Sequence, residues 1–277
     1  MALSSSTYYS NSIVGQMMAG VDVNVTQADA APRYPIGQGF TRADGNVFRY
    51  AHVGTATNAG QLIGPTTASG GATYGAAVVV TPASAIAEQS EFPILPGQVG
   101  SHFVEVTIAG IAANKYQGGY LVTTRGTGLG ETYRIVANTA TGTPVTGNLH
   151  IRTAEPISVA LTASTGIIIV PSIFTDCAAS ATSSTQAAGV LMSTTTSTNL
   201  WAWICTRGIV GCAEDATVSV TAGQQLIASG VTAGAYTTMN TGGLTLGVAA
   251  TNRPIIGYSI TPAASSSRVG AIYLQLE

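Results

Sequence analysis

The stretch TRADGNVFRYAH, residues 41–52, predicts a β-hairpin and so indicates the fold class of the chain. Asp44 and Gly45 form a strong turn signal, because glycine tolerates positive φ angles and an aspartate side chain bonds nearby backbone N–H groups. Large side chains alternate after the turn, as they do in a strand. The alternating side chains are Phe48 and Tyr50 on one face and Val47 and Arg49 on the other.

Strand-like runs recur along the rest of the chain, with Gly, Thr or Pro between them. In HFVEVTIAG, residues 102–110, one face holds only branched apolar side chains. GGYLVTTRGTG, residues 118–128, and GETYRIVANT, residues 130–139, indicate two strands around a glycine turn. Short strands at close spacing are typical of a β-sandwich or a β-barrel. The sequence therefore predicts an all-β fold of sandwich or barrel modules rich in glycine turns.

Residues 1–38 differ from the rest of the chain. They are polar at first and are then broken by Pro32 and Pro35. Few of these positions could seed a core, so we expect an extended N-terminal arm that precedes the β modules and is either disordered or ordered only against a neighbour. The interface residues predicted on the arm are Tyr8, Tyr9, Met17 and Met18.

The remaining chain is expected to form a first β module over residues 39–110 and a second over residues 111–277. One continuous β domain over 39–277 is the alternative. NAGQLIGPTTASGG, residues 58–71, resembles TAGQQLIASGVTAG, residues 221–234, in placing a glycine turn before a short apolar pair. This similarity indicates either two related modules or chance in a chain rich in Ala, Gly and Thr.

Charge is scarce in this chain. Charged residues make up 8%, the net charge is −2, and Lys115 is the single lysine. A surface so poor in charge is either buried against other subunits or kept soluble by Ser and Thr hydroxyls. The arginines are scattered singly, whereas nucleic acid binding needs clustered cations that neutralise phosphates. Direct binding of nucleic acid is therefore excluded.

The sequence offers no sign of a membrane or secretory route. MALSSSTYYSNSIVG, residues 1–15, lacks the basic and apolar regions of a signal peptide, and no segment approaches the roughly 20 apolar residues of a membrane span. We expect the chain to be made in, and to remain in, a cytoplasm-like compartment. Cys177, Cys205 and Cys212 match no zinc spacing. A Cys205–Cys212 bridge across a turn and three free buried thiols both remain open.

Residues that could carry chemistry are isolated. His52, His102 and His150 have no metal-ligand spacing, and the carboxylates are scattered, with Glu214 and Asp215 in an expected loop. We expect no metal, no cofactor and no enzymatic activity. In RGTGLGE, residues 125–131, the three glycines precede a strand-like run. A phosphate-binding loop precedes a helix, so a tight turn is the favoured interpretation.

Trp201 and Trp203 lie two residues apart, so they share one face of a strand. Exposed aromatic pairs of this kind occur in sugar-binding sites, and buried ones occur in cores. Core packing is the favoured interpretation.

Several segments together resemble tailed-bacteriophage virion proteins. FTRADGNVFRYAHVGTATNAGQLI, residues 40–63, looks like the opening of capsid decoration (cement) proteins. ANKYQGGYLVTTRGTGLGETYRI, residues 113–135, is similar to segments of phage virion proteins. The C-terminal part resembles them as well, in the segments WAWICTRGIVGC (201–212), AGQQLIASG (222–230), IGYSI (256–260) and AIYLQL (271–276).

The resemblance implies a β-rich protein on the outer capsid, often a homotrimer, that clamps neighbouring subunits of the major capsid protein. It implies location in the virion after synthesis in the host cytoplasm. The motifs consist of turn residues and alternation, so no functional residue is carried over from the family. Many cement proteins are about half as long as this chain, which indicates extra modules or another task in the virion.

Two other functions remain open at this stage. One is a tail tube, head–tail or fibre component, which self-assembly into tubes or rods would indicate. The other is a glycan- or receptor-binding surface module that uses Trp201 and Trp203.

Overall fold

The computed structural model describes residues 18–19, 23–65, 77–79, 97–108, 110–141, 147–162, 165–180, 186–239, 254–261 and 269–277. All regular secondary structure in these residues is β-strand, which confirms the predicted all-β class. The strands are β1 Met18–Ala19, β2 Gly39–Thr41, β3 Val47–Val53, β4 Leu62–Pro65, β5 Ala77–Val79, β6 Phe103–Ile108, β7 Tyr120–Arg125, β8 Thr132–Asn138, β9 Gly147–Thr153, β10 Gly166–Val170, β11 Cys177–Ala179, β12 Gly189–Leu191, β13 Leu200–Ala213, β14 Gln225–Ala228, β15 Tyr236–Thr238, β16 Ile255–Thr261 and β17 Val269–Gln275. None of the described segments forms a helix long and apolar enough to cross a membrane.

The chain divides into two compact units, each with its own sheet. Unit 1 comprises Met1–Thr66 and Asp176–Glu277, and unit 2 comprises Thr67–Thr175. This division does not coincide with the module boundary that the sequence placed at residue 110. The strands on either side of that residue, β6 and β7, belong to the same six-stranded sheet of unit 2. Strand alternation continues unchanged through both units, so it does not reveal where the chain leaves one sheet for the other.

The hairpin predicted from residues 41–52 is formed by β2 and β3, which pair antiparallel. In its turn the Gly45 N–H donates to the Arg42 carbonyl at 3.0 Å, and the Arg42 N–H donates to the Asn46 carbonyl at 2.9 Å. Gly45 has a φ of +85°, and Asp44 Oδ1 accepts from the Asn46 N–H at 3.0 Å. The Asp-Gly turn signal is therefore confirmed, together with its physical cause.

Five strands of unit 1 close into a barrel. β3 pairs with β11 in parallel, and β11–β4, β4–β12 and β12–β13 then pair antiparallel. β13 also pairs with β3, which closes the ring. Closure satisfies the backbone groups that an open sheet would leave at its two edges. The barrel alternative predicted from the sequence is thus confirmed for this unit.

The length of β13 extends the barrel into a larger sheet. Its N-terminal part pairs with β3 and β12, and its C-terminal part, from Arg207 to Ala213, pairs with β17. Beyond β17 the order continues through β16 and β14 to β15. A register shift between Cys205 and Arg207 marks the point at which β13 leaves β3. Bulges of this kind bend and twist a strand, as such a transfer requires.

An aromatic cluster forms the centre of the unit 1 core. The Trp203 ring lies 4.7 Å from Phe40 and 5.1 Å from Tyr50, centroid to centroid. Tyr34 packs at 5.0 Å from the same indole, and Phe40 stacks on Phe48 at 5.1 Å. The face of β3 that carries Phe48 and Tyr50 therefore points into the core, as the alternation predicted.

The described part of the predicted arm, residues 23–38, lies against unit 1 itself. Val25 is buried, and Tyr34 packs on the aromatic cluster. Asp29 exchanges two backbone hydrogen bonds with Trp201, at 2.7 and 2.9 Å, and accepts from the Tyr50 hydroxyl at 2.8 Å. These contacts fix this segment without regular secondary structure. Residues 23–38 thus pack against the rest of unit 1.

Unit 2 is a six-stranded antiparallel sheet in the order β5-β10-β7-β8-β9-β6. Strands β6 to β10 each direct apolar side chains into a second core. Its fully buried side chains include Val104, Val106, Leu121, Ile135, Leu149, Ile151 and Ile167. The alternation of HFVEVTIAG placed Val104 and Val106 on one face, and both are in this core.

The two connections to unit 2 leave unit 1 side by side. β4 ends at Pro65 and β11 begins at Cys177, and these two residues are direct partners in the antiparallel β4–β11 ladder. Unit 2 is therefore an insertion between two adjacent barrel strands.

Candidate interaction surface

The outer face of β13, β17 and β16 in unit 1 is the most continuous exposed apolar surface among the described strands. Ile209 of β13 lies directly opposite Tyr273 of β17, which lies directly opposite Tyr258 of β16. One row therefore crosses three strands. The intervening residues Val210 and Ile272 point inward and are buried, which leaves the row on the outer side.

The side chains of this surface are exposed enough to indicate an interaction site. Ile209 is 60% exposed, Val269 49% and Tyr258 41%. Single exposed apolar residues are normal on protein surfaces, but contiguous ones mark interaction sites. We call this surface the unit 1 face; its members are Ile209, Gly211, Tyr258, Ile260, Val269, Ala271 and Tyr273.

Charge is nearly absent from the unit 1 face. Among the outward-pointing residues of these three strands, Arg207 carries the one charge, and it lies at the border opposite Gln275. The unit 1 face is therefore even poorer in charged residues than the chain as a whole.

A smaller apolar patch lies on the outer side of the unit 2 sheet. Val170 of β10 is opposite Tyr120 of β7, and Ile168 is opposite Val122 in the next row. Tyr120 is 49% exposed and Val170 is 37% exposed. We call these four residues the unit 2 patch.

The structure describes one of the four residues predicted as an interface on the arm. Tyr8, Tyr9 and Met17 lie outside the described residues. Met18 is in β1, and its backbone pairs in parallel with Phe40 of β2. It thus continues the unit 1 sheet by one strand, and its role at an interface stays a prediction.

The two tryptophans of β13 do not form an exposed pair. Trp203 is 1% exposed within the aromatic cluster, as the core interpretation predicted. Trp201 is half-buried, and its ring lies 4.9 Å from the His52 ring. A sugar-binding site that needs both indoles exposed has no such platform on this strand.

The three histidines occupy separate elements. Nδ1 of His52 lies 3.1 Å from Asp176 Oδ1 in unit 1. In unit 2, Nδ1 of His102 lies 3.2 Å from the Thr153 carbonyl oxygen, and His150 is in β9. Within the described residues, no group of three or more His, Cys, Asp or Glu side chains could hold a metal ion.

The three cysteines are buried in unit 1 as thiols that form no disulfide with one another. Cys205 and Cys212 are both in β13, with no turn between them. Seven residues of strand separate their Cα atoms by roughly 23 Å, far beyond the reach of a disulfide. The bridge left open from the sequence is therefore excluded. Burial raises the pKa of the Cys205 and Cys212 thiols to about 12, which keeps them protonated.

Glu214 and Asp215 both accept hydrogen bonds from neighbouring hydroxyl groups. Glu214 accepts from the Tyr236 hydroxyl at 2.9 Å. Asp215 accepts from the Ser229 hydroxyl at 2.5 Å and from the Thr217 N–H and hydroxyl at 3.0 and 2.8 Å. Burial opposes ionisation of Asp215, but these hydrogen bonds outweigh it and hold its pKa below the usual value. The pair anchors the loop after β13 to β14 and β15.

The glycines of RGTGLGE form a tight turn between two strands, as predicted. Gly126, Gly128 and Gly130 all have positive φ, between 77° and 87°. The Gly130 N–H donates to the Thr123 carbonyl at 3.0 Å, and β8 follows immediately. The turn lacks the following helix whose N-terminus would hold a phosphate.

The two similar segments noted in the sequence adopt the same turn. Gly60 and Gly223 have φ angles of +80° and +81°. Gln61 Oε1 accepts from the Asn58 N–H at 2.9 Å, and Gln224 Oε1 accepts from the Thr221 N–H at 2.8 Å. The AGQ motif thus forms a turn in which the glutamine side chain accepts a hydrogen bond from the backbone N–H of the first turn residue. A strand follows each turn.

One buried group was not predicted. Glu105 of β6 is 1% exposed, and within the described part of the chain neither of its carboxylate oxygens has a hydrogen-bond partner. It points away from the core residues Val104 and Val106, and it lies opposite His150 in the β6–β9 ladder. Alternation placed Glu105 on the outer side of the sheet, but it cannot show that this side is covered.

The unit 1 face was also missed by sequence reasoning, although a signal exists. In VGAIYLQ, residues 269–275, the inward positions Ile272 and Leu274 are apolar, and the outward positions Val269 and Tyr273 are apolar too. A strand at the surface of a two-layered fold alternates apolar with polar residues. Apolar residues on both sides of β17 therefore indicate that its outward side, like its inward side, is covered by protein.

Comparisons with known protein families, with curated proteins and with solved structures found no match to this chain.

Proposed function

We propose that this chain is a virion structural protein: a decoration (cement) protein that binds the outer surface of an assembled phage head. It stabilises the head by clamping neighbouring subunits of the major capsid protein. The role is architectural, so the proposal includes no catalysis, cofactor, nucleic acid or membrane. The chain is made in the host cytoplasm and resides on the capsid as a homo-oligomer, with a trimer favoured by the resemblance to known cement proteins.

The observation that carries this proposal is the presence of exposed, nearly uncharged apolar strand surfaces in both units. Ile209 and Tyr258 in unit 1 and Tyr120 and Val170 in unit 2 are 37–60% exposed. Surfaces of this type are buried in protein–protein assemblies, where charged residues are depleted and aromatic residues are enriched. Each unit therefore offers one surface that is suited to contact a neighbouring protein subunit.

The low charge of the chain supports the same function. Charged residues make up 8% of the sequence. Many identical copies bound at fixed spacing on a shell repel one another if each carries a strong charge. A ligand that binds the assembled lattice but not the free subunits stabilises the lattice by mass action.

Binding to heads tests the proposal directly. Heads are purified from the encoding phage after deletion of the gene for this chain, mixed with the recombinant protein, and sedimented. We expect saturable co-sedimentation and a higher temperature of head disruption. Failure of the folded protein to bind these heads would refute the decoration role.

Two variants locate the contact. Removal of residues 1–22 deletes Tyr8, Tyr9, Met17 and Met18 but leaves the core contacts of Tyr34 in place. We expect it to weaken head binding while the body stays folded. Tyr120→Asp places a charge in the unit 2 patch, and Leu129→Asp, at a turn residue that is 70% exposed, serves as the matched control.

Negative-stain electron microscopy of the purified protein separates this function from a tail role. A decoration protein gives compact particles. Tubes or long rods would assign the chain to the tail tube or a fibre.

A further inference from the structure

We propose that the unit 1 face is the surface through which copies of this chain associate with one another. The partner is a second copy of the chain, whose own unit 1 face turns toward the same symmetry axis. This inference rests on the homo-oligomer of the proposed function and names its surface, whereas binding to a phage head is a separate claim.

The first argument is the continuity of the face across three strands. The row Ile209–Tyr273–Tyr258 runs perpendicular to the strands, and Gly211 and Ala271 form the next row of the β13–β17 ladder. Side chains at directly opposed positions touch, so they present one surface rather than separate residues. Burial of exposed apolar area of this kind lowers the free energy.

Charge selects the partner. A charged partner would bury its own ions against this face without counterions, which is strongly unfavourable. A copy of the same face brings only Arg207, which lies at the border where water can still solvate it. The face is therefore complementary to itself: apolar at the centre and free of opposing like charges there.

The shape of the face also suits close packing against another sheet. Gly211 and Ala271, which are direct partners in the ladder, leave a shallow centre between the larger side chains of Ile209, Tyr273 and Val269. Sheets packed face to face lie about 10 Å apart, with side chains of one filling gaps of the other. Tyr273 and Ile209 of one copy would fill the centre of the next.

The area of the face sets the strength of the association. Three strands and the five positions of β17 from Val269 to Tyr273 cover roughly 14 Å by 16 Å, or about 200 Å² of flat area in each copy. Two such areas bury less than the roughly 1,200 Å² of a stable interface. Association in free solution is therefore expected to be weak and dependent on concentration. It becomes strong where other contacts hold the copies side by side.

Cross-linking in solution tests the inference without heads. Ala271→Cys places a thiol at the centre of the face, and Leu129→Cys places one at a highly exposed turn of unit 2 as the control. The native cysteines are buried, so they contribute little background. Each folded variant is treated with a flexible bismaleimide over a range of protein concentrations, and covalent oligomers are measured.

We expect Ala271→Cys to cross-link at least about tenfold faster than Leu129→Cys, because association raises the effective concentration of the thiols. Adding Ile209→Arg to Ala271→Cys should reduce the rate to that of the control. Sedimentation equilibrium of the unmodified protein should show concentration-dependent mass, which Ile209→Arg abolishes. Equal rates for the two cysteine variants, or a purely monomeric unmodified protein at the highest concentration, would overturn the inference. Head binding is measured in a separate experiment, so a failure of self-association can be told apart from a failure of head binding.

Discussion

The side-chain amide of Asn46 bonds both backbone groups of Ile209. Its Oδ1 accepts from the Ile209 N–H at 2.9 Å, and its Nδ2 donates to the Ile209 carbonyl at 3.3 Å. Asn46 precedes β3, so the amide supplies β13 with a ladder partner just beyond the end of that strand. The contact joins the turn of the first hairpin to the strand that carries the unit 1 face.

The glycine before Ile209 makes this contact sterically feasible. Gly208 has a φ of +111°, and a Cβ there would overlap Asn46 Oδ1. We expect Gly208→Ala to lower the free energy of unfolding by about 2 kcal/mol or more, since it adds both backbone strain and a steric clash. Urea denaturation followed by tryptophan fluorescence measures the change.

A second variant separates the two causes. In an Asn46→Ala background the overlap with the Asn46 amide is removed, but the strain at Gly208 and the 3.0 Å approach to the Cα of residue 46 remain, so Gly208→Ala should cost less there than in the native chain. Gly211→Ala is the matched control on the same strand, because its Cβ would make only an ordinary contact with Val269. Equal costs in both backgrounds would show that the Asn46 contact is irrelevant.

Local features of the fold could be predicted from the sequence, whereas its long-range connections could not. The Asp44-Gly45 turn and the inward face of Phe48 and Tyr50 follow from turn chemistry and a period of two, and both are confirmed. The closed barrel depends on pairing between β3 and β13, which are far apart in sequence. No local pattern specifies such a pairing, because any strand with an apolar face is a candidate partner.

The unit 1 face could not be predicted from the sequence for a related reason. Apolar residues on both sides of β17 were visible in the sequence, but its position in the sheet was not. Trp203 shows the converse case: the sequence indicated a buried strand, and the aromatic cluster confirms it. Burial of the outer side of β6, and so of Glu105, depends on parts of the chain remote from that strand.

The thiols should be inert in the folded protein. Cys177, Cys205 and Cys212 are buried, and burial raises the pKa of each thiol. Reactivity requires an exposed thiolate. We expect no thiol to react with Ellman's reagent at pH 8 under native conditions and all three to react in guanidinium chloride. Rapid reaction of one thiol in the native protein would contradict the buried placement.

Glu105 should destabilise the protein as it stands. A buried polar group without a partner costs about 1–3 kcal/mol, and more if it is charged. We therefore expect Glu105→Leu to raise the free energy of unfolding of unit 2 by about 1 kcal/mol or more at pH 7. Glu131→Leu, at a turn between β7 and β8, is the control and should change stability little. A loss of stability in Glu105→Leu would show that the carboxylate is satisfied in solution.

An ion pair makes unit 1 sensitive to acid. The Arg49 guanidinium donates twice to the Glu277 carboxylate, at 2.8 and 2.6 Å. This hydrogen bonding lowers the pKa of Glu277 below its usual value. A carboxyl with a depressed folded pKa contributes stability above its unfolded pKa of about 4.3 and loses it as the pH falls further.

Glu277→Gln should therefore cost about 1 kcal/mol at pH 7 and progressively less below about pH 4.3. The variant leaves the bond from Arg49 to the Gly37 carbonyl intact, so it isolates the pair. Thermal unfolding from pH 3 to pH 7 compares the two proteins. Parallel stability curves over this range would contradict a contribution from the pair.

Unit 1 should fold without unit 2. Pro65 and Cys177 are direct partners in the β4–β11 ladder, so a short hairpin loop can replace Thr67–Thr175. We expect a chain in which Asn-Gly joins Thr66 to Asp176 to unfold cooperatively. Trp201 and Trp203 are the only tryptophans and both lie in unit 1, so their emission reports this unit alone. An emission maximum equal to that of the full chain would show that the aromatic cluster around Trp203 forms independently. A red-shifted maximum and non-cooperative unfolding would mean that the barrel requires the inserted unit, since no contact within the barrel itself is removed by the deletion.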